Sequence, residues 1–145
     1  MTPHSYPVKL TWVEGRKGHI VSPDLPLEFD VATPPQFDNG IPHIWSPEHL
    51  YTAAVLSCFM TTFLAVAGFS KLEFSAFSCD SEGVLDKVEG KFLMTEVKLR
   101  PVLTILNEAD KEKAEKILHK SEAACLISNS IKTTVTLEPE IRIAP

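Results

Sequence analysis

The chain has 145 residues, the size of one domain, with 14 Lys+Arg against 19 Asp+Glu and a formal net charge of −5. That balance argues against a nucleic-acid or anionic-membrane surface, which needs a basic excess. Hydrophobic residues at 44% and charged residues at 23% exclude a disordered chain. The 3 cysteines cannot all pair within one chain, and they are too few and scattered for a zinc finger.

Met1–Leu10 has no basic stretch followed by an apolar core, so the expectation is a cytoplasmic protein with reduced thiols. Val8, Leu10 and Trp12 alternate with polar residues, the period of a half-buried strand. Gly15-Arg16-Lys17-Gly18 reads as a tight turn, His19–Val21 as a second strand, and Leu27, Phe29 and Val31 as a third. A loop follows from Thr33 to Trp45, broken by Pro34, Pro35, Asn39, Gly40 and Pro42. Ser46-Pro47-Glu48 is a helix start: serine suits the N-cap, proline the first helical position, and glutamate the positive end of the dipole. The predicted helix runs from about Pro47 to Ala67 and ends near Gly68. Phe74–Leu85 and Phe92–Leu106 read as antiparallel strands, with Pro101 limiting the second to an edge or a bulge. Ala114, Ile117, Leu118, Ala124 and Cys125 recur at helical spacing in a second helix, Glu108 to Cys125. Ile131 to Ile143, rich in Thr, Val and Ile, closes as a final strand. The expected class is α+β, in a single domain over residues 1–145.

No residue from Leu50 to Ser70 is charged. About 20 such residues meet the length criterion for a transmembrane helix. Thr52, Ser57, Thr61 and Thr62 within the run, and the lack of basic flanks, favour instead a helix buried nearly all round. Such a helix is about 30 Å long, whereas a domain of this size has a radius of gyration of about 15 Å. A second copy of the chain is therefore expected to cover part of it. Glu48 and Cys58 stand ten residues apart on this helix, about 15 Å along the axis and about 280° around it. If both serve one site, one of them comes from a partner chain.

Cys58, in the middle of the apolar helix, is either a small buried hydrophobe or, with a cation nearby, a nucleophile. Cys125 ends the second helix on its apolar face, and the two cysteines can meet if the helices pack through those faces. Cys79 lies among alternating strand residues and reads as structural. The 5 histidines are scattered, without a metal-binding spacing, and His49 is expected at the surface.

Ser46-Pro-Glu-His-Leu-Tyr-Thr-Ala-Ala-Val-Leu-Ser-Cys58-Phe resembles the helix of the OsmC/Ohr family of thiol-dependent hydroperoxide reductases. Cys125-Leu-Ile-Ser-Asn resembles that family's second cysteine motif, and Gly15-Arg16-Lys17-Gly18 its early arginine turn. The order of elements matches along nearly the whole chain. One departure is Leu126-Ile127 directly after the second cysteine, where the family usually has Pro and an aromatic or small residue. The resemblance implies antiparallel sheets packed around two central helices in an intertwined homodimer, with active sites at the interface. It also implies the chemistry. Cys58 matches the peroxidatic cysteine, Cys125 the resolving cysteine, Arg16 the arginine that stabilises the thiolate and polarises the peroxide, and Glu48 the glutamate that orients it. An external dithiol re-reduces the enzyme, and no metal, haem or flavin cofactor is implied. An apolar lining that includes Phe59, Phe63 and Leu64 is expected to favour an organic hydroperoxide. Two other readings stay open: a non-catalytic protein that binds a lipid-like ligand in the same pocket, and a structural dimer module with inert thiols.

Overall fold

The computed structural model describes residues 1–145, which separate into two compact units, residues 1–50 and 51–145.

In the first unit, β1 (Lys9–Glu14), β2 (Lys17–Ser22) and β3 (Leu25–Ala32) form an antiparallel sheet in sequence order. The register places Leu10 opposite Ile20, Trp12 opposite Gly18, and then Phe29 opposite Ile20 and Val31 opposite Gly18. The alternating apolar residues thereby gather on one face, as period two requires. Along β1 that face is uncovered: every residue of the strand is exposed, and Trp12 retains 71% of its surface. The Trp12 indole N–H donates to the Gly15 carbonyl at 2.9 Å and so braces the β1–β2 turn.

The proline-rich loop is ordered by its own backbone. Phe37 N–H donates to Pro34 O, Gly40 N–H to Phe37 O, and Ile41 N–H to Thr33 O. A side chain at Gly40 would collide with the Pro34 carbonyl, which is why glycine stands there. Trp45 returns the chain to β3 through a bridge to Val31. Helix α1 (Pro47–Phe69) then starts as expected. The Ser46 hydroxyl accepts the His49 backbone N–H at 3.1 Å, and Leu50 N–H donates to Ser46 O at 3.0 Å. His49 takes the place of the glutamate of a capping box: its Nδ1 lies 2.7 Å from Ser46 Oγ and accepts the Ser46 N–H at 3.3 Å.

In the second unit, β4 (Phe74–Val88) and β5 (Lys91–Ile105) make a long hairpin. Its two turn residues, Glu89 and Gly90, both have positive φ, the pattern of a two-residue hairpin loop. A 3-10 turn (Glu108–Asp110) leads into α2 (Lys111–Ala124), followed by the short α3 (Leu126–Asn129). Two parallel strands, β6 (Thr134–Leu137) and β7 (Glu140–Ile143), pair with successive stretches of β5. The expected single final strand is thus two strands. Pro139 separates them, since it has no N–H to give to the ladder. Pro101 is likewise not on an edge. It sits in the central strand β5, between the residues that pair with β6 and those that pair with β7, where a missing N–H costs no ladder bond.

The core lies in this unit. Val97, Leu99, Pro101, Leu103 and Ile105 of β5 are fully buried, two residues apart on one face, and Ala114, Ile117 and Leu118 of α2 join them. From α1 come Val55, Phe59, Phe63 and Ala67, a single stripe with a spacing of four. Phe63 stacks on Phe77 at 4.7 Å and meets Phe74 edge-on at 5.3 Å. By length and composition α1 is apolar enough to cross a membrane, yet its core stripe packs within its own chain. It is not buried nearly all round. Met60 and Leu64 are exposed, and Phe69 retains 88% of its surface. Phe63→Ala should lower the unfolding free energy by about 3–5 kcal/mol, the usual cost of truncating a buried phenylalanine; a urea titration followed by circular dichroism measures it.

Candidate active site

The Phe59–Phe63 stripe fixes how α1 is rotated. One position behind each phenylalanine on the helix stand Cys58 and Thr62, a turn apart on one face, with Sγ and Oγ1 4.0 Å from each other. Cys58 is half-buried. On the other side of the site α2 stops at Ala124, because Cys125 adopts φ −64° and ψ 117°, an extended conformation. The chain turns back into helix at once, and the first bond of α3 is Asn129 N–H to Cys125 O at 3.0 Å. Leu126 and Ile127 stand at the start of that turn, where backbone N–H groups have no intrahelical acceptor. Their amides, the Cys125 thiol and the Thr62 hydroxyl are the groups that favour the Cys58 anion.

These contacts polarise the two thiols in opposite senses. Partial burial pushes the Cys58 thiol up, but the donors together outweigh it: Ile127 N–H, the Cys125 thiol, the Thr62 hydroxyl and Leu126 N–H hold it below the ordinary thiol value. Burial pushes the fully buried Cys125 up. The Ser128 hydroxyl and amide pull the other way, but the Cys58 sulfur beside it, which keeps the Cys125 proton in place, reinforces the rise. Of the two, Cys58 is the one that ionises first as pH rises, and Cys125 keeps its proton longer. Such a pair can supply a nucleophile and a second thiol within reach of it.

The structure brings together Cys58 and Cys125. Arg16 and Glu48 belong to the first unit. Arg16 is exposed on the β1–β2 turn and lines a concavity of about 290 Å³ with Leu10, Trp12, Val31, Thr33 and Pro47. Glu48 is half-buried in the first turn of α1, at the positive end of the helix dipole. Cys79 lies on β4 opposite Pro101; burial pushes its thiol to about 11, which leaves it protonated and unreactive at neutral pH. Phe59 and Phe63 are not a pocket lining: both are fully buried in the core, and of the three expected lining residues only Leu64 is exposed. His49 is exposed, as expected, and serves the helix cap. No group of three or more His, Cys, Asp or Glu side chains is placed to hold a metal ion.

Three contributors to the site carry no side-chain motif of their own. Thr62 was readable as the residue one turn beyond Cys58. The amides of Leu126 and Ile127 were not, since any residue but proline provides one.

The family described as OsmC-like protein matches residues 39–140. The chain belongs to the OsmC-like family. An uncharacterised protein of Bacillus subtilis is 26% identical over 148 residues, covering 99% of this chain and 97% of its own. An organic hydroperoxide resistance protein-like protein of Staphylococcus aureus is 28% identical over 141 residues, covering 95% and 96%. The crystal structure of an organic hydroperoxide resistance protein OsmC from Legionella pneumophila superposes with a TM-score of 0.79 at 27% identity, covering 98% of this chain and 99% of that one. The α+β architecture is that of the OsmC-like fold.

Alkylation across pH tests the polarised pair. In a Cys79→Ser background, iodoacetamide labelling read by peptide mass spectrometry should rise for Cys58 at a midpoint below that of a free thiol. Cys125 should label only at higher pH. The reverse order would contradict the assignment.

Proposed function

We propose that this OsmC-like protein is a thiol-dependent peroxidase that reduces organic hydroperoxides to alcohols. The observation that carries the reading is Cys58, its thiol held below the ordinary value, beside a buried Cys125 whose thiol is raised. The name of the Staphylococcus aureus relative supports the substrate class.

In the proposed reaction the Cys58 thiolate attacks the hydroxyl-bearing oxygen of ROOH. An S–O bond forms, the O–O bond breaks, and the alkoxide leaves. The alkoxide takes the Cys125 proton and departs as the alcohol. Cys58 is now a neutral sulfenic acid, so the charge that held the Cys125 proton has gone. The Cys125 thiolate attacks the Cys58 sulfur, a disulfide forms, and hydroxide leaves and is protonated to water. A dithiol restores both thiols by exchange.

Arg16 is assigned to the Cys58 thiolate, the peroxide and its leaving oxygen. A guanidinium keeps its charge in an apolar surrounding, and the Arg16 concavity is lined by Leu10, Trp12 and Val31. Glu48 is assigned to orient it by a carboxylate–guanidinium pair. We propose that these two residues serve the cysteines of a partner copy. Helix α1 is unbroken from Pro47 to Phe69, as the Glu48–Cys58 spacing argument requires. The uncovered apolar residues of the single chain, among them Leu10, Trp12, Met60, Leu64 and Phe69, are what a second copy would bury. Light scattering at micromolar concentration should give the mass of a dimer, and a monomer would sink this part of the proposal.

The function is tested with cumene hydroperoxide and a dithiol. Wild type should turn over. Cys58→Ser should lose at least about 1000-fold, because the nucleophile is removed. Cys125→Ser should consume about one equivalent of peroxide and then recycle slowly. Equal turnover of wild type and Cys58→Ser, or a folded wild type with no turnover, would overturn the proposal.

A further inference from the structure

Pro35, Pro42, His43, Ile44, Trp45 and His49 line an open concavity of about 450 Å³ in the first unit. Small-molecule sites span roughly 300–1000 Å³ and combine apolar walls with a few placed polar groups. We propose that this concavity binds a compact apolar molecule carrying one oxygen acceptor, the class of an organic hydroperoxide and of the alcohol it leaves. The proposal deepens the peroxidase reading by naming where the organic group rests, and it depends on that reading for its catalytic meaning.

The polar atom that selects the oxygen is Nε2 of His49. The helix cap decides where the proton of this ring sits. A backbone N–H can only donate, and the Ser46 N–H donates to His49 Nδ1 at 3.3 Å. Nδ1 is therefore an acceptor, with the Ser46 hydroxyl 2.7 Å away, and the proton of the neutral ring is on Nε2. Ser46 is fully buried, so the cap side of the ring is closed and Nε2–H is the donor left for a ligand. The Trp45 indole, edge-on to that ring at 5.9 Å, adds flat apolar surface and a second N–H. An apolar wall with donors favours an uncharged molecule with an acceptor oxygen over an ion, which would lose its hydration. The wall is also built in advance. Ala32 N–H donates to Trp45 O at 2.9 Å, and Trp45 bridges Val31 of β3. His43 is held at φ 66°, a conformation that residues with a side chain keep only where their surroundings enforce it. Trp45 lines this concavity and Pro47, two residues on, lines that of Arg16. The organic group and the guanidinium assigned to the peroxide oxygens are thus served from the two ends of one short segment.

The probe is 2-phenyl-2-propanol, the alcohol formed from cumene hydroperoxide, which cannot turn over. The chain has 2 tryptophans, so in Trp12→Phe the tryptophan fluorescence belongs to Trp45. Its emission should change saturably as the alcohol is added. Isopropylbenzene, which lacks the oxygen, should bind about tenfold more weakly, the usual worth of one hydrogen bond. His49→Gln keeps the helix cap, since a glutamine at this position accepts the N-cap N–H in a capping box, but it removes the ring and Nε2–H. It should bind the two probes equally, and its KM for cumene hydroperoxide should rise several-fold while the Cys58 alkylation midpoint stays at the wild-type value. If Trp12→Phe does not fold by circular dichroism, calorimetry of the wild type with both probes decides, with the same expected ratio. A Trp45 emission that does not respond, including one already blue-shifted because a partner copy covers it, would overturn the site. So would equal binding of the two probes by the wild type, or an unchanged preference or KM in His49→Gln. A wild type that binds the alcohol but does not turn over cumene hydroperoxide refutes the peroxidase reading and spares the site, whereas turnover without alcohol binding does the opposite.

Discussion

A sulfur anion drawn half out of water is unstable unless donors surround it. The groups that favour the Cys58 anion, with Ile127 N–H, the Cys125 thiol and the Thr62 hydroxyl foremost, answer that constraint, and much of the second unit is arranged around Cys58. The Val55–Phe59–Phe63–Ala67 stripe locks the rotation of α1 against Phe74 and Phe77, and that rotation aims Cys58 and Thr62. The core face of α2, through Ala114, Ile117 and Leu118, fixes where that helix ends and hence where the Cys125 break lies. Rigid packing thus supplies direction, and a short irregularity in the backbone supplies the polar groups.

The two thiols are unequal for one physical reason: a single proton is shared between neighbours, and the better-solvated, better-bonded sulfur gives it up. Cys125, fully buried, keeps the proton and becomes one of the donors that stabilise the Cys58 anion. In the proposed cycle this asymmetry orders the steps, since loss of charge on Cys58 releases the Cys125 proton. Cys79 shows the contrast. It is half-buried too, but desolvation dominates there and its thiol stays protonated.

The order of elements was legible in the sequence because strand and helix periods are distinct, and the start of α1 because Ser46 and Pro47 carry cap chemistry that the structure uses. The end of the second helix at Cys125 was legible, but the immediate restart of helix in α3 was not, since no glycine or proline marks the break. The split of the last strand was marked by Pro139, whose effect depends on where β5 already has partners. Phe59 and Phe63 were placed in a pocket because an uncharged helix has no polar face to show which apolar stripe turns inward. Their burial decides it. The pair Cys58 and Cys125 was readable as a possibility of helix packing, whereas the amide donors were not, since a backbone N–H leaves no trace in residue identity.

The central claim is that Cys58 and Cys125 form one redox unit, and mass spectrometry of the wild-type protein after one equivalent of cumene hydroperoxide tests it most directly. The account predicts rapid loss of peroxide and a peptide cross-linked from Cys58 to Cys125, with Cys79 still a free thiol and the cross-link cleaved by a dithiol. Unconsumed peroxide with Cys58 and Cys125 still free, or a cross-link that involves Cys79 instead, would contradict it.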